Sequence, residues 1–327
     1  MKIDVHNHFY PAPYLKELEK GDTQARLERG KGSIPHLLYA GDYNILVEGH
    51  RVIEHRLKDL DRTGIEMQVL TLTTPGVHIE ERARGVGLAQ IVNDAFSEIV
   101  KQYPDRFVAL ATLPLQDPDA SVRELERAVT KLGLKGAMVF TNVNGHPLNA
   151  PHFWPLYEKA AELEVPIMLH PTTPVSVEAY DELRLPPLVG FPFDTTIAVA
   201  RLVLSGVLEK YPTLKLIAAH LGGAIPYLAE RIDRGYKVYP EIRTNIPRPP
   251  SDYFKQIYMD TVAFDTAALT FALEFAGPDK LLLGSDYPHQ IGDLGGSVRA
   301  VEALQISTET KEKILEANAI QLFKIKR

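Results

Sequence analysis

What most restricts the fold of this chain is a repeat of pattern, not of sequence: eight short apolar, β-rich runs with helical stretches between them. The runs span residues 3–8, 67–74, 107–114, 136–142, 166–171, 214–220, 257–264 and 281–286. Each is nearly continuous in hydrophobicity, as parallel strands covered on both faces are. The clearest helical stretch is 117–133. Val122, Leu125, Val129 and Leu132 fall on one stripe there, and Arg123, Glu124, Arg127 and Lys131 on the other. Asp117-Pro118 opens it and Gly133 closes it. Stretches 80–103, 152–164, 195–211, 265–275 and 308–323 read the same way. Strand–helix units joined by short loops imply right-handed crossovers and a parallel sheet. Eight of them predict an α/β fold, a (β/α)8 TIM barrel.

The 327 residues suit one such domain over 1–327, or two modest domains, and no interdomain linker is visible. A doubly wound open sheet would carry a glycine-rich phosphate turn after its first strand. Here that turn is Phe9-Tyr10-Pro11, without glycine. Segment 9–51 is too long for a plain loop and is expected to form a small insertion, or lid, over the barrel mouth. Segment 236–252, rich in proline, is expected to be an irregular connection.

Composition excludes several function classes. With 45% hydrophobic and 24% charged residues, the chain is neither disordered nor low-complexity. Its net charge of −6 is spread along the sequence, so no basic tract tracks nucleic acid. No apolar stretch approaches the roughly 20 residues of a bilayer span, and the N-terminus shows no apolar signal region. No nucleic acid, no membrane and a cytoplasmic location are expected. Cysteine is absent, which excludes thiol nucleophiles, iron–sulfur clusters and cysteine-held zinc. Any metal must be held by His, Asp or Glu.

Polar residues at the C-terminal ends of the runs carry the functional signal. The first run ends in His6-Asn7-His8, the fifth in His170, the sixth in His220 and the eighth in Asp286. In a barrel these ends meet on the rim that holds the active site. Residues two apart on a strand share a side, so His6 and His8 can grip one ion. Several neutral imidazoles and one carboxylate suit a divalent transition metal such as zinc, not calcium or magnesium. Asp4 is read as an anchor for the ligands, not as one of them. His36, His50, His55, His78, His146 and His152 are read as structural.

The order His-x-His, His, His, Asp resembles the amidohydrolase superfamily. Met1–His8, Arg106–Pro114, Pro147–Ala150, Leu188–Pro192, His220–Gly223 and Gly284–Pro288 are similar to its decarboxylating branch, in particular the aminocarboxymuconate-semialdehyde decarboxylase family. The resemblance implies one divalent metal, zinc ahead of manganese, on His6, His8, His170 and Asp286. Relatives with two metals carry a lysine at the end of strand four, and here that end reads Val139-Phe140-Thr141-Asn142. The resemblance further implies His220 as general acid/base, with Asp286 counted beside it as catalytic. It implies Arg51 as a substrate-carboxylate arginine and Arg231 as an arginine supplied to the neighbouring subunit of a homodimer.

Three aromatic positions of that family are here Thr172, Arg184 and His289. Arg184 and His289 are therefore expected to bind a further polar group of the substrate. The expected activity is metal-dependent, non-oxidative loss of CO2 from a small unsaturated or aromatic carboxylic acid, aminocarboxymuconate-semialdehyde-like or hydroxybenzoate-like. A metal-dependent hydrolase or hydratase of a lactone, ester or unsaturated acid is the alternative on the same scaffold. A non-catalytic binding protein would show a lost ligand, and none is lost.

Overall fold

The computed structural model describes residues 1–28, 34–39, 42–180 and 182–326. The expected barrel is present. Its parallel strands are β1 (Ile3–His8), β2 (Met67–Thr71), β3 (Phe107–Ala109, resumed by Ala111–Thr112), β4 (Ala137–Phe140), β5 (Pro166–His170), β6 (Lys215–Ala218), β7 (Tyr258–Asp260) and β8 (Leu281–Leu282). Each pairs with the next in chain order. β8 returns to β1 through Val5 N–H to Leu283 O and Asp286 N–H to His6 O, both 2.8 Å, which closes the cylinder.

Both faces of these strands are apolar. Ile3, Val5, Val69, Leu110, Met168 and Ile217 fill the cylinder, whose lower end is sealed by Ala319, Leu322 and Phe323 of the last helix, Asn318–Phe323. Leu70, Leu72, Val139, Leu169 and Leu216 face outward onto the helices. Each such side chain contributes about 1.5–3 kcal/mol by leaving water, and alternation disappears from the sequence because neither face is wet.

β1 departs from a regular strand where it matters most. Asp4 pairs with Gln68, yet Asn7 pairs with Leu70, so three steps on β1 match two on β2. Such a bulge re-aims a side chain. Ile3 and Val5 lie inside the cylinder, and without the slip His6 and His8 would face away from it. With the slip, Asn7 turns out to the helix Ile53–Thr63, where Arg56 binds it.

The helices Arg82–Gln102, Pro118–Thr130, Trp154–Glu162 and Thr266–Ala276 follow the expected stretches. Asp117 caps the second of them, accepting from Ala120 N–H at 3.0 Å. Longer helices outside the expected stretches include Ile53–Thr63, Ile225–Val238 and Leu294–Ala303. The second corrects the reading of 236–252 as irregular throughout, since helix occupies its first residues and Pro250–Phe254 forms another. Proline is tolerated at a helix start, where its missing N–H costs nothing.

Segment 9–51 contains the helix Ala12–Glu19 and a three-stranded antiparallel sheet, Arg26–Glu28, His36–Tyr39 and Asp42–Ile45. Residues 29–33, 40 and 41 of that segment lie outside the described residues. Asn44 ties the sheet to the barrel by donating to Thr74 O at 2.7 Å and Tyr10 Oη at 2.8 Å.

Helical residues Pro186–Leu204 correct one expectation. These 19 residues are long and apolar enough to cross a membrane by length and composition. Thr195, Val199, Leu202 and Val203 are buried against the barrel, and Asp194 on the same stretch accepts from Asn142 at 3.1 Å.

Candidate active site

At the C-terminal rim, β1, β5, β6 and β8 bring their polar ends together. The His6 ring centroid lies 5.0 Å from His8, 5.2 Å from His170 and 4.9 Å from His220. Asp286 Oδ1 is 3.1 Å from His8 Nε2 and 3.4 Å from His6 Nε2. Ligand atoms of His6, His170, His220 and Asp286 lie within 4.8 Å of one another. Two backbone features aim them. His220 (φ 53°) and Asp286 (φ 57°) are both left-handed, a conformation rare for side-chain-bearing residues and kept at sites that over-determine it. Gly284 permits the close approach of β8, since a Cβ there would come within 2.9 Å of both His6 Cβ and Asp260 Cβ.

The hydrogen bonds behind the rings decide which nitrogens face inward. His6 Nδ1 donates to Asp260 Oδ2 at 2.6 Å. His170 Nδ1 donates to Pro171 O at 2.7 Å. Thr71 spends its hydroxyl hydrogen on Asn7 O at 2.6 Å, so it can only accept from His8 Nδ1, 3.2 Å away. In each ring the hydrogen is on Nδ1, which leaves a lone pair on Nε2. The Nε2 atoms of His6 and His8 are then 3.2 Å apart with nothing to share, and buried His170 Nε2 has no partner. Three lone pairs and a carboxylate facing one another repel unless a cation sits among them. His6, His8, His170 and Asp286 therefore fit a divalent metal with N and O ligands.

Electrostatics agree with a cation-seeking centre. Burial and the neighbouring imidazoles hold His8 and His170 well below the usual histidine range. Burial, then His6, pulls His220 down to about 4. Burial alone would lower His6 too, but the carboxylates of Asp260 and Asp286 outweigh it and raise its proton affinity. Asp4 is pushed up to about 6 by burial. It anchors the strand ends as expected, accepting from Ser285 Oγ at 2.6 Å, Gln68 Nε2 at 2.7 Å and His6 N–H at 3.2 Å.

Above the cluster opens a cavity of about 520 Å³. Its floor holds His170, His220 and Asp286. Its walls are mostly apolar, with Leu188, Phe191, Leu221, Val262, Phe264 and Ile291, and Tyr43, Asn44 and Ile45 of the inserted sheet close one side. Arg184 and His289 both line it, the first with its guanidinium 4.5 Å above the Tyr43 ring. Thr172 is buried but does not line it. Neither does Arg51, whose Nε donates to Leu46 O at 3.3 Å. Arg231 is exposed on the helix Ile225–Val238, away from this cavity.

Sequence reasoning missed three residues here. Asp260 holds the His6 ring and also accepts from the backbone N–H of His220 and Leu221 at 3.1 and 3.2 Å. It is the one charged side chain in run 257–264, but that run extends four residues beyond the end of β7, so the sequence alone does not mark Asp260 as a strand end. His50, read as structural, is buried with Nε2 3.3 Å from His289 Nδ1. Arg56 is fully buried under β1.

A family model described as amidohydrolase matches residues 3–325. The chain belongs to the amidohydrolase family. Along its length this amidohydrolase matches decarboxylases, in keeping with the branch it resembles. It is 30% identical to a 2-amino-3-carboxymuconate-6-semialdehyde decarboxylase of Dictyostelium discoideum, over 98% of this chain and 91% of that protein. It is 35% identical to a gamma-resorcylate decarboxylase of Polaromonas sp., over 84% and 88%. Among solved structures, a dihydroxybenzoic acid decarboxylase of Polaromonas sp. with bound manganese and the inhibitor 2-nitroresorcinol superposes with a TM-score of 0.80 at 30% identity, covering 100% and 97% of the two chains.

Proposed function

We propose that this chain is a metal-dependent carboxy-lyase that removes CO2, without oxidation, from a small aromatic or unsaturated carboxylic acid. The observation that carries the reading is the inward convergence of three imidazole lone pairs and the Asp286 carboxylate beneath an apolar cavity, with His220 alongside. His6, His8, His170 and Asp286 would hold the ion. When bound, it would polarise substrate oxygens and stabilise the charge that develops on them. We assign zinc to the site, because an imidazole-rich set suits it; support for manganese comes from the Polaromonas structure.

The chain's own groups divide the remaining work. Phe191, Leu221, Val262 and Phe264 offer apolar surface to a ring or diene and exclude water from it. As the C–CO2 bond breaks, its electron pair stays on carbon and must take up one proton. His220, neutral near pH 7 because burial lowers its affinity to about 4, is placed to take that proton from solvent water and pass it to the carbon as CO2 leaves. Arg184 on the wall offers a planar cation to a second anionic or hydroxyl group.

Chelation tests the reading. Exhaustive dialysis against a chelator should abolish CO2 release from hydroxybenzoates and unsaturated dicarboxylates, and stoichiometric zinc or manganese should restore it. Undiminished release from metal-free protein would refute the assignment.

Arg231 can reach a substrate only in another copy, so we infer a homodimer in which it enters the neighbouring cavity. Support comes from the apolar surface of Leu183, Leu188, Phe193, Ile197 and Tyr227, all well exposed in the single chain. Sedimentation should give a dimer, and Arg231→Ala should cut kcat/KM at least 10-fold, as loss of a charged hydrogen bond does. A fully active monomer would exclude the arrangement.

A further inference from the structure

The cavity holds a second imidazole pair that the metal cluster does not use. His50 is 1% exposed, and its Nδ1 has no partner. Its Nε2 lies 3.3 Å from Nδ1 of His289. The His289 ring packs 4.7 Å from His8 and presents a nitrogen within 4.8 Å of the donor atoms of His8 and Asp286.

One hydrogen sits between His50 and His289. If it belonged to His289, neutral His50 would carry its own hydrogen on Nδ1, buried and without an acceptor. An orphaned buried donor loses its hydration with nothing in return, and buried N–H groups are left unpaired more rarely than acceptors are. The hydrogen therefore belongs to His50 Nε2. Accepting at Nδ1 puts the hydrogen of His289 on its Nε2. His289 lines the cavity, and the nitrogen it does not turn to His50 then carries an N–H where a metal ligand would carry a lone pair. Burial, and then His289, holds His50 well below the usual histidine range, which keeps it neutral.

We propose that His50 fixes His289 as a hydrogen-bond donor for an oxygen that the substrate carries beside its scissile carboxylate. His50 is a positioning residue, since it acts through His289. That His289 donates to a substrate rests on the decarboxylase reading; its tautomer does not.

Two measurements on zinc-loaded protein test this. Long-range proton–nitrogen spectra of ring-labelled histidines, assigned with His289→Gln, should show His289 as the Nε2–H tautomer and as a tautomer mixture in His50→Leu. Calorimetry should show tighter binding of 2,6-dihydroxybenzoate than of benzoate. His289→Leu should narrow that preference by about 10-fold or more at equal zinc content, because a site built around a polar contact discriminates through it. His50→Gln, whose amide can donate to Nδ1, should keep the preference, while His50→Leu should lose part of it. An Nδ1–H or doubly protonated His289 in the wild type, or an unchanged preference in His289→Leu, would overturn the proposal. If the tautomer and the binding preference hold but no acid yields CO2, the decarboxylase reading fails instead.

Discussion

Alanine at position 220 should lower kcat by about 10²- to 10⁴-fold, the usual contribution of a positioned proton donor or acceptor, and should leave metal content unchanged. The reason is geometric. The other three imidazoles each anchor Nδ1 to a fixed partner, which leaves Nε2 as the atom offered to an ion. His220 does not share that arrangement, for its Nδ1 is buried without a partner and its position comes from the backbone. Its N–H is fixed to Asp260, and its left-handed φ of 53° swings the ring over the cluster. Metal analysis beside steady-state kinetics separates the two roles. Loss of the ion in His220→Ala would make His220 a ligand; retained turnover would remove it from proton transfer.

Arg56→Met should destabilise the fold by roughly 3–5 kcal/mol, the range for breaking a buried charged network. The guanidinium is fully buried and donates to Asn7 Oδ1 at 2.7 Å, Gln68 Oε1 at 2.8 Å, Gly49 O at 2.8 Å and His8 O. It also stacks between Phe9 and Tyr287, at 5.2 and 4.8 Å from their ring centres. Burial lowers its affinity for the proton only to about 10, so it stays charged near neutrality. Methionine fills much of the volume but leaves four buried acceptors unpaired, each costing about 1–3 kcal/mol before relaxation. Two of them belong to Asn7 and His8, so the loss should also loosen β1 where it presents the imidazole pair. Urea unfolding gives the number, and a loss under about 1 kcal/mol would show that water replaces the guanidinium freely.

The two arginines at the start of the second unit show how legibility runs out. Resemblance pointed to Arg51, whose side chain caps a local carbonyl outside the cavity wall. Five residues on, Arg56 is the one that grips the site's strand from beneath. Nothing in the local pattern separates them, because both follow polar residues near a helix start. Only Arg56 lies on the face of Ile53–Thr63 that meets β1 and β2.

Legible in the chain alone were the barrel and the five ligand-type residues at its strand ends, His6, His8, His170, His220 and Asp286. Eight doubly covered strands leave long apolar runs that few other architectures need, and a metal needs imidazoles and a carboxylate wherever the strands end. Folding settled the rest. A one-residue slip in β1 put Ile3, Val5, His6 and His8 inside together. Asp260, Thr71 and Pro171 settled which nitrogen of each ring faces the centre, and His50 met His289 across 239 positions of chain. Those choices depend on hydrogen bonds between residues remote in sequence, whose partners and directions exist only once the cylinder has closed.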